Sequence, residues 1–226
     1  MTGRSAPAAV LPPSLRGWLG PIAALAALVV VVLGVLYADD SKPGTVDARI
    51  SAALDGVGPW RHVALALDFL GEPVGAATLV VALVTGCLLL RRPRAAVLLV
   101  AGVGMSVGTA TLLKSLVGRT IHDGSLSYPS GHTAFLTALA LVVALPATGR
   151  FGLGRTAGTL LVLAAALVAG AAMGWAQVAL GAHYPTDVLG GWCTALAVIP
   201  ATAWLVDRMA DRPVDRMADA GQRERR

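Results

Sequence analysis

Three short stretches of the chain gather side chains suited to handling phosphate. Lys114-Ser-Leu-Val-Gly-Arg119 supplies two cations, Tyr128-Pro-Ser-Gly-His132 a hydroxyl, a glycine and an imidazole, and His183-Tyr-Pro-Thr-Asp187 an imidazole followed by a carboxylate. If Ser130, Gly131 and His132 open a helix, its free N–H groups and positive dipole end attract an anion, and glycine lets an oxygen come close to the backbone. Lys114 and Arg119 add positive charge beside it. With Pro185 at the first helical position, Asp187 falls in the first turn and His183 just before it. The carboxylate can then hold one imidazole nitrogen and leave the other free to attack.

Each residue alone has a plainer account. A lone His183 is an interfacial histidine, Lys114 and Arg119 are flank residues that snorkel to the headgroups, and Asp187 is a helix N-terminal charge. What favours a site is that all three stretches fall on the same side of the membrane in a topology derived without them.

That topology follows from composition. Of 226 residues, 56% are hydrophobic and only 14% charged, with a mean hydropathy of +0.71, far from the balance of a soluble domain. A spanning helix needs about 20 largely apolar residues, and six segments are candidates: 19–37, 64–90, 95–113, 133–147, 157–180 and 188–206, the fourth being short and borrowing a few flanking residues to cross. The first is too long, and too poor in small residues at its end, for a cleaved signal. The fold expected is therefore an all-α bundle of six transmembrane helices over 19–206, between a cytoplasmic segment at 1–18 and a charged cytoplasmic tail at 207–226.

Thirteen of the 18 Lys and Arg residues fall before span one, between spans two and three, between four and five, or after six. The positive-inside rule puts these, and both termini, in the cytoplasm, and Lys114 and His183 outside it. The net charge of +5 thus reports orientation and not a nucleic-acid partner. Trp18, Trp60 and Trp204 sit near span ends, as interface anchors do. Gly104 with Gly108, and Gly170 with Gly174, are small-residue pairs that allow helices to touch, within one chain or between chains. Cys87 and Cys193 read as small apolar residues, and no spacing suits a zinc site, a haem or an iron–sulfur cluster. No metal or other cofactor is expected.

With these residues in place, the sequence resembles the type 2 phosphatidic acid phosphatase family, integral-membrane lipid phosphatases that share their core with vanadium haloperoxidases. The family signature runs Lys, six residues, Arg-Pro; Pro-Ser-Gly-His; then Ser-Arg, five residues, His, three residues, Asp. Pro129 to His132 and the His183–Asp187 spacing match in full, and Lys114 matches the start of the first motif. Two family arginines are missing, since their places fall on Ile121 and Gln177. Arg119 and His122 are near enough to substitute, and Gln177 keeps an amide donor without the charge.

The resemblance implies a lipid phosphate substrate in the membrane and metal-independent hydrolysis. His183 attacks phosphorus, Asp187 orients it, His132 protonates the leaving oxygen, and Lys114, Arg119, Ser130 and Gly131 hold the phosphoryl oxygens. A transferase that hands the group to a lipid or sugar acceptor, and a non-catalytic lipid-phosphate binder, are the alternatives. Asp68 and Glu72, unusual in so apolar a segment, either pair with Arg119 or Lys114, bind a polar group of the substrate, or stay wet in a re-entrant stretch around Gly71 and Pro73.

Overall fold

The computed structural model describes residues 9–54 and 58–223, with side chains described through 212. Eight α-helices follow one another: α1 (Pro13–Leu36), α2 (Thr45–Leu54), α3 (Arg61–Gly71), α4 (Pro73–Leu89), α5 (Pro93–Val117), α6 (Gly131–Arg150), α7 (Arg155–Ala179) and α8 (Pro185–Arg223). Proline stands in the first turn of α1, α4, α5 and α8, where its missing N–H costs nothing and its fixed φ suits the helix. Ser130 caps α6 instead, accepting from the Thr133 N–H at 3.3 Å.

Among the described residues, five helices are long and apolar enough to cross a membrane: α1, α5, α6, α7 and the part of α8 up to Arg212. The second expected span is not continuous. Residues 58–71 and 73–89 qualify only as a pair, bent by 64° at Glu72. Glu72 adopts an extended conformation and Pro73 starts a new helix, because proline has no N–H to continue the old one. Part of the expected tail is helical too, since α8 runs on past Asp207 to Arg223. Residues 1–8, with Arg4, and 224–226 lie outside the described residues.

α6 is the most enclosed span and α1 the least. Leu98, Leu99, Leu141, Leu145, Val162 and Ile199 fill the apolar core between α5, α6, α7 and α8. Gly170 and Gly174 let α8 approach α7, for a side chain at either would strike Trp192 or Val188, whereas Gly104 and Gly108 face open space. Trp18 and Trp204 are exposed near span ends, beneath the guanidinium groups of Arg155 and Arg208 at 6.0 and 5.0 Å. At that end of the bundle the Val10 and Leu11 amides both reach Asp207 at 2.9 Å, and Arg94 at the start of α5 lies 3.6 Å from the same carboxylate. The opposite end gathers the end of α5, the starts of α6 and α8, the end of α7, and α2 and α3.

Candidate active site

At this second end the chain crosses itself repeatedly. The α5 helix stops at Gly118, whose φ of +68° favours glycine, and a side chain there would collide with Asp39. The Asp39 amide donates to the Val117 carbonyl and the Thr120 amide to that of Asp40, while the Ser127 amide returns to the Arg119 carbonyl. The Ser130 amide donates to the Asp187 carbonyl at 2.9 Å, so the starts of α6 and α8 are fixed against each other.

His183 sits in the turn between α7 and α8 and is 7% exposed. Its amide donates to the Gln177 carbonyl at 3.3 Å, which anchors the turn to the end of α7. Nδ1 faces the Asp187 carboxylate across 3.7 Å, too far for a formed hydrogen bond, and has no other partner. Burial pushes the imidazole below its ordinary pKa; Lys114 and His132 push the same way, and Asp187 opposes them. Lowering the pKa disfavours the charged ring, and with one nitrogen toward a carboxylate the arrangement leaves the other nitrogen available for nucleophilic chemistry.

Asp187 is fully buried. Its Oδ2 accepts from the Tyr184 amide at 2.9 Å, and its Oδ1 receives Arg119 Nη1 at 2.6 Å. The same nitrogen donates to Thr186 Oγ1 at 2.6 Å, and Nη2 reaches Asp47 Oδ2 at 2.9 Å. Tyr37 and Tyr184 cover the guanidinium at 4.0 and 4.8 Å from their ring centres. Arg119 therefore has a different set of partners from the one expected. It has no exposed surface; its two terminal nitrogens go to Asp187, Thr186 and Asp47, two of them buried carboxylates that demand a counter-charge, and its Nε has no partner among the described residues.

Lys114 is half-buried in the last turn of α5 and, among the described residues, forms no ion pair. Ser130 Oγ accepts from the Thr133 amide and from its hydroxyl at 3.1 Å, leaving its own O–H to donate. Gly131 has open space where a side chain would stand. His132 follows on the same turn, its Nε2 3.5 Å from Asp68 and 3.6 Å from Glu72. Gln177, 1% exposed, holds Asp68 in that place with an Nε2 donor at 2.6 Å. Asp68 and Glu72 thus meet His132 and Gln177, not Arg119 or Lys114. A side chain at Gly71 would run into the His132 ring, which explains a glycine at the bend.

Asp68, Glu72 and His132 bring ligand atoms within 4.8 Å of one another, a spacing open to a cation, in a cluster that is partly exposed. Ile121 is buried and His122 exposed on the adjoining turn, so neither joins the histidine pair. Asp47, Tyr37, Tyr184 and Thr186 belong to the cluster without having been expected there. Tyr184 and Thr186 lie inside the His183–Asp187 motif and were within reach of sequence reasoning; Asp47 carries no local signal.

A helical bundle that collects two histidines, a fixed carboxylate, a cation and a helix N-terminus at one end of its spans defines a class, the membrane-embedded phosphoric ester hydrolases. The sequence profile of the PAP2 superfamily matches residues 95–210, just over half of the chain and the whole stretch from α5 to the middle of α8. The chain belongs to the PAP2 superfamily. Its fold is similar to that of a crystal structure described as the first transmembrane PAP2 type phosphatidylglycerolphosphate phosphatase from Bacillus subtilis, with a TM-score of 0.65 and 23% identity over 84% of this chain and 96% of that one. None of the curated proteins compared with the chain matches it.

Proposed function

We propose that this protein hydrolyses a lipid phosphomonoester or diphosphate through a phosphohistidine on His183, at the extracytoplasmic face of a cell membrane. The observation that carries this reading is the buried His183 ring, whose Nδ1 faces a carboxylate that Arg119 and the Tyr184 amide hold in place. In the first step a bond forms from His183 Nε2 to phosphorus as the bond from phosphorus to the lipid oxygen, or to the bridging oxygen of a diphosphate, breaks. Positive charge then grows on the ring and Asp187 stabilises it. His132 gives its proton to the departing oxygen, with Asp68 and Glu72 at 3.5 and 3.6 Å from its Nε2. Lys114, the Ser130 hydroxyl and the free amides at the start of α6 face the negative charge on the phosphoryl oxygens. In the second step water attacks phosphorus, gives a proton to His132, and releases phosphate from His183.

The arginine-rich end takes the cytoplasmic side by the positive-inside rule, which leaves the histidines outside. Cysteine labelling of Ser125→Cys and Pro93→Cys tests this: the first is expected to react from outside and the second only from inside. For the chemistry, detergent-purified protein is offered phosphatidate, phosphatidylglycerophosphate and a polyprenyl diphosphate. Phosphate release from at least one is expected, with a trapped phosphohistidine absent from His183→Ala. Release from none, or full activity in His183→Ala, overturns the reading.

A further inference from the structure

Asp47 lies outside the stretch matched by the family profile and is the buried residue of α2, a short helix whose other side chains are exposed or half-exposed. A lone carboxylate does not enter a protein interior for its own solvation, since removal from water costs several kcal/mol. Its bonds show what it serves. Oδ1 accepts from the Thr186 amide at 2.9 Å, and Oδ2 from the Thr186 hydroxyl at 2.8 Å and Arg119 Nη2 at 2.9 Å. Asp47 therefore occupies the start of α8 and takes one arm of the guanidinium whose other arm holds Asp187.

Charge accounting gives this geometry a consequence. A carboxylate matched one-to-one by arginine is a neutral pair with little attraction left for a third group. Two buried carboxylates sharing one arginine retain one net negative charge. We propose that Asp47 is a positioning residue for the reaction at His183: by sharing Arg119 it keeps the Asp187 cluster negative, so that a His183 ring turning cationic during attack finds an unmatched counter-charge. This rests on His183 as the nucleophile; the charge arrangement itself can be measured without turnover. The other groups around His183 are Lys114 of α5 and His132 of α6, both adding positive charge, with Asp68 and Glu72 behind His132. Tyr37 and Tyr184 enclose the arginine.

Asp47→Asn keeps the size and an acceptor oxygen but makes the cluster neutral, whereas Arg119→Gln leaves it doubly negative. The two variants must move His183 in opposite directions. Full-length protein in detergent micelles, labelled in its four histidines and assigned through His183→Gln, is titrated by NMR. The His183 ionisation is expected to fall by roughly 1 pH unit in Asp47→Asn and to rise by a similar amount in Arg119→Gln, as for a charge change several ångströms away. The double variant, with the parental net charge, is expected to titrate close to the parent. It decides the matter if either single variant is not recovered folded, and a shift there as large as that expected for a single variant refutes the proposal. So does an Asp47→Asn ionisation that stays put or rises.

On a lipid phosphate that the parent hydrolyses, Asp47→Asn is expected to lower kcat roughly 10-fold, the factor that one pH unit represents, with KM little changed. Its acid limb should move to lower pH. A merely structural role would shift neither limb in opposite senses between the two variants. A parent that turns over none of the lipids defeats the proposed function, and the NMR titration still decides the role of Asp47.

Discussion

Helix α8 carries a buried carboxylate at each end of its span, Asp187 and Asp207, 0% and 1% exposed. Both tie the helix to distant parts of the chain. Asp207 receives the backbone amides of Val10 and Leu11, with Arg94 at 3.6 Å and Arg16 at 3.9 Å. Each of its oxygens takes a main-chain donor, and no imidazole stands near. Asp187 takes one amide and one arm of a shared arginine and leaves an imidazole nitrogen unfilled at 3.7 Å. The same burial cost is met at one end by rigid donors and becomes an anchor. At the other it is met by a cation with divided allegiance and leaves attraction for a ring that changes charge.

The sharpest way to break the comparison is to remove what is unique to the Asp187 end. His183→Ala is expected to abolish phosphate release, and His132→Ala to lower kcat by about 10²- to 10⁴-fold, the range for a lost general acid; Asp207→Asn should keep nearly parental turnover per folded molecule. Parental turnover in His183→Ala, or collapse in Asp207→Asn alone, would erase the distinction.

Gly71→Ala should come next. The added carbon pushes the His132 ring aside, and displacement of a catalytic group by about 1 Å can cost about 10²-fold. A loss of kcat with unchanged thermal stability in detergent is the expected signature.

At the anchor end the expected damage is to stability. Asp207→Ala strands two buried amides and should lower unfolding free energy by about 1.5–3 kcal/mol, the scale of a hydrogen bond to a charged group. Denaturant titration in mixed micelles measures it.

Acidity separates the ends again. His183 is held below the ordinary imidazole pKa by burial, so it remains unprotonated as pH falls through about 6.5. The acid limb of kcat/KM assigned to the nucleophile should lie below that value, and a limb above it would contradict a buried neutral ring. The smallest effect is expected from Arg94→Gln. Its contacts to Asp207 at 3.6 Å and to the half-exposed Asp211 at 2.8 Å should be worth about 0.2–1 kcal/mol, measured by the same titration.

The contrast also marks where one-dimensional reasoning ended. Spans one, three, four, five and six were legible from apolar length, and the PAP2 superfamily from two spaced motifs. The second span counts as one segment, 64–90, by apolar length, and Gly71 with Pro73 already points to a re-entrant stretch where the structure bends by 64°. Asp68 and Glu72 were conspicuous as charges in an apolar stretch, yet their partners were not: Gln177 is 109 positions from Asp68, a distance that only packing closes. Arg119 stood out as a cation, but its direction depended on Asp47, 72 positions earlier, which looks like any surface acid of a short helix. Asp207 was read as the first residue of a solvated tail, and the amides that bury it come from the other end of the chain.

One consequence of α8 remains. Twenty residues separate its two buried carboxylates, about 30 Å of helix at 1.5 Å per residue, which is the thickness of a typical hydrocarbon layer. Each is fastened to other segments of the chain, so the helix acts as a gauge of fixed length between two clamps. A bilayer of different thickness has to be met by tilt or by local deformation of the lipid. Tilt would act at the end where His183 sits, and turnover measured across bilayers of different acyl-chain length is expected to report it.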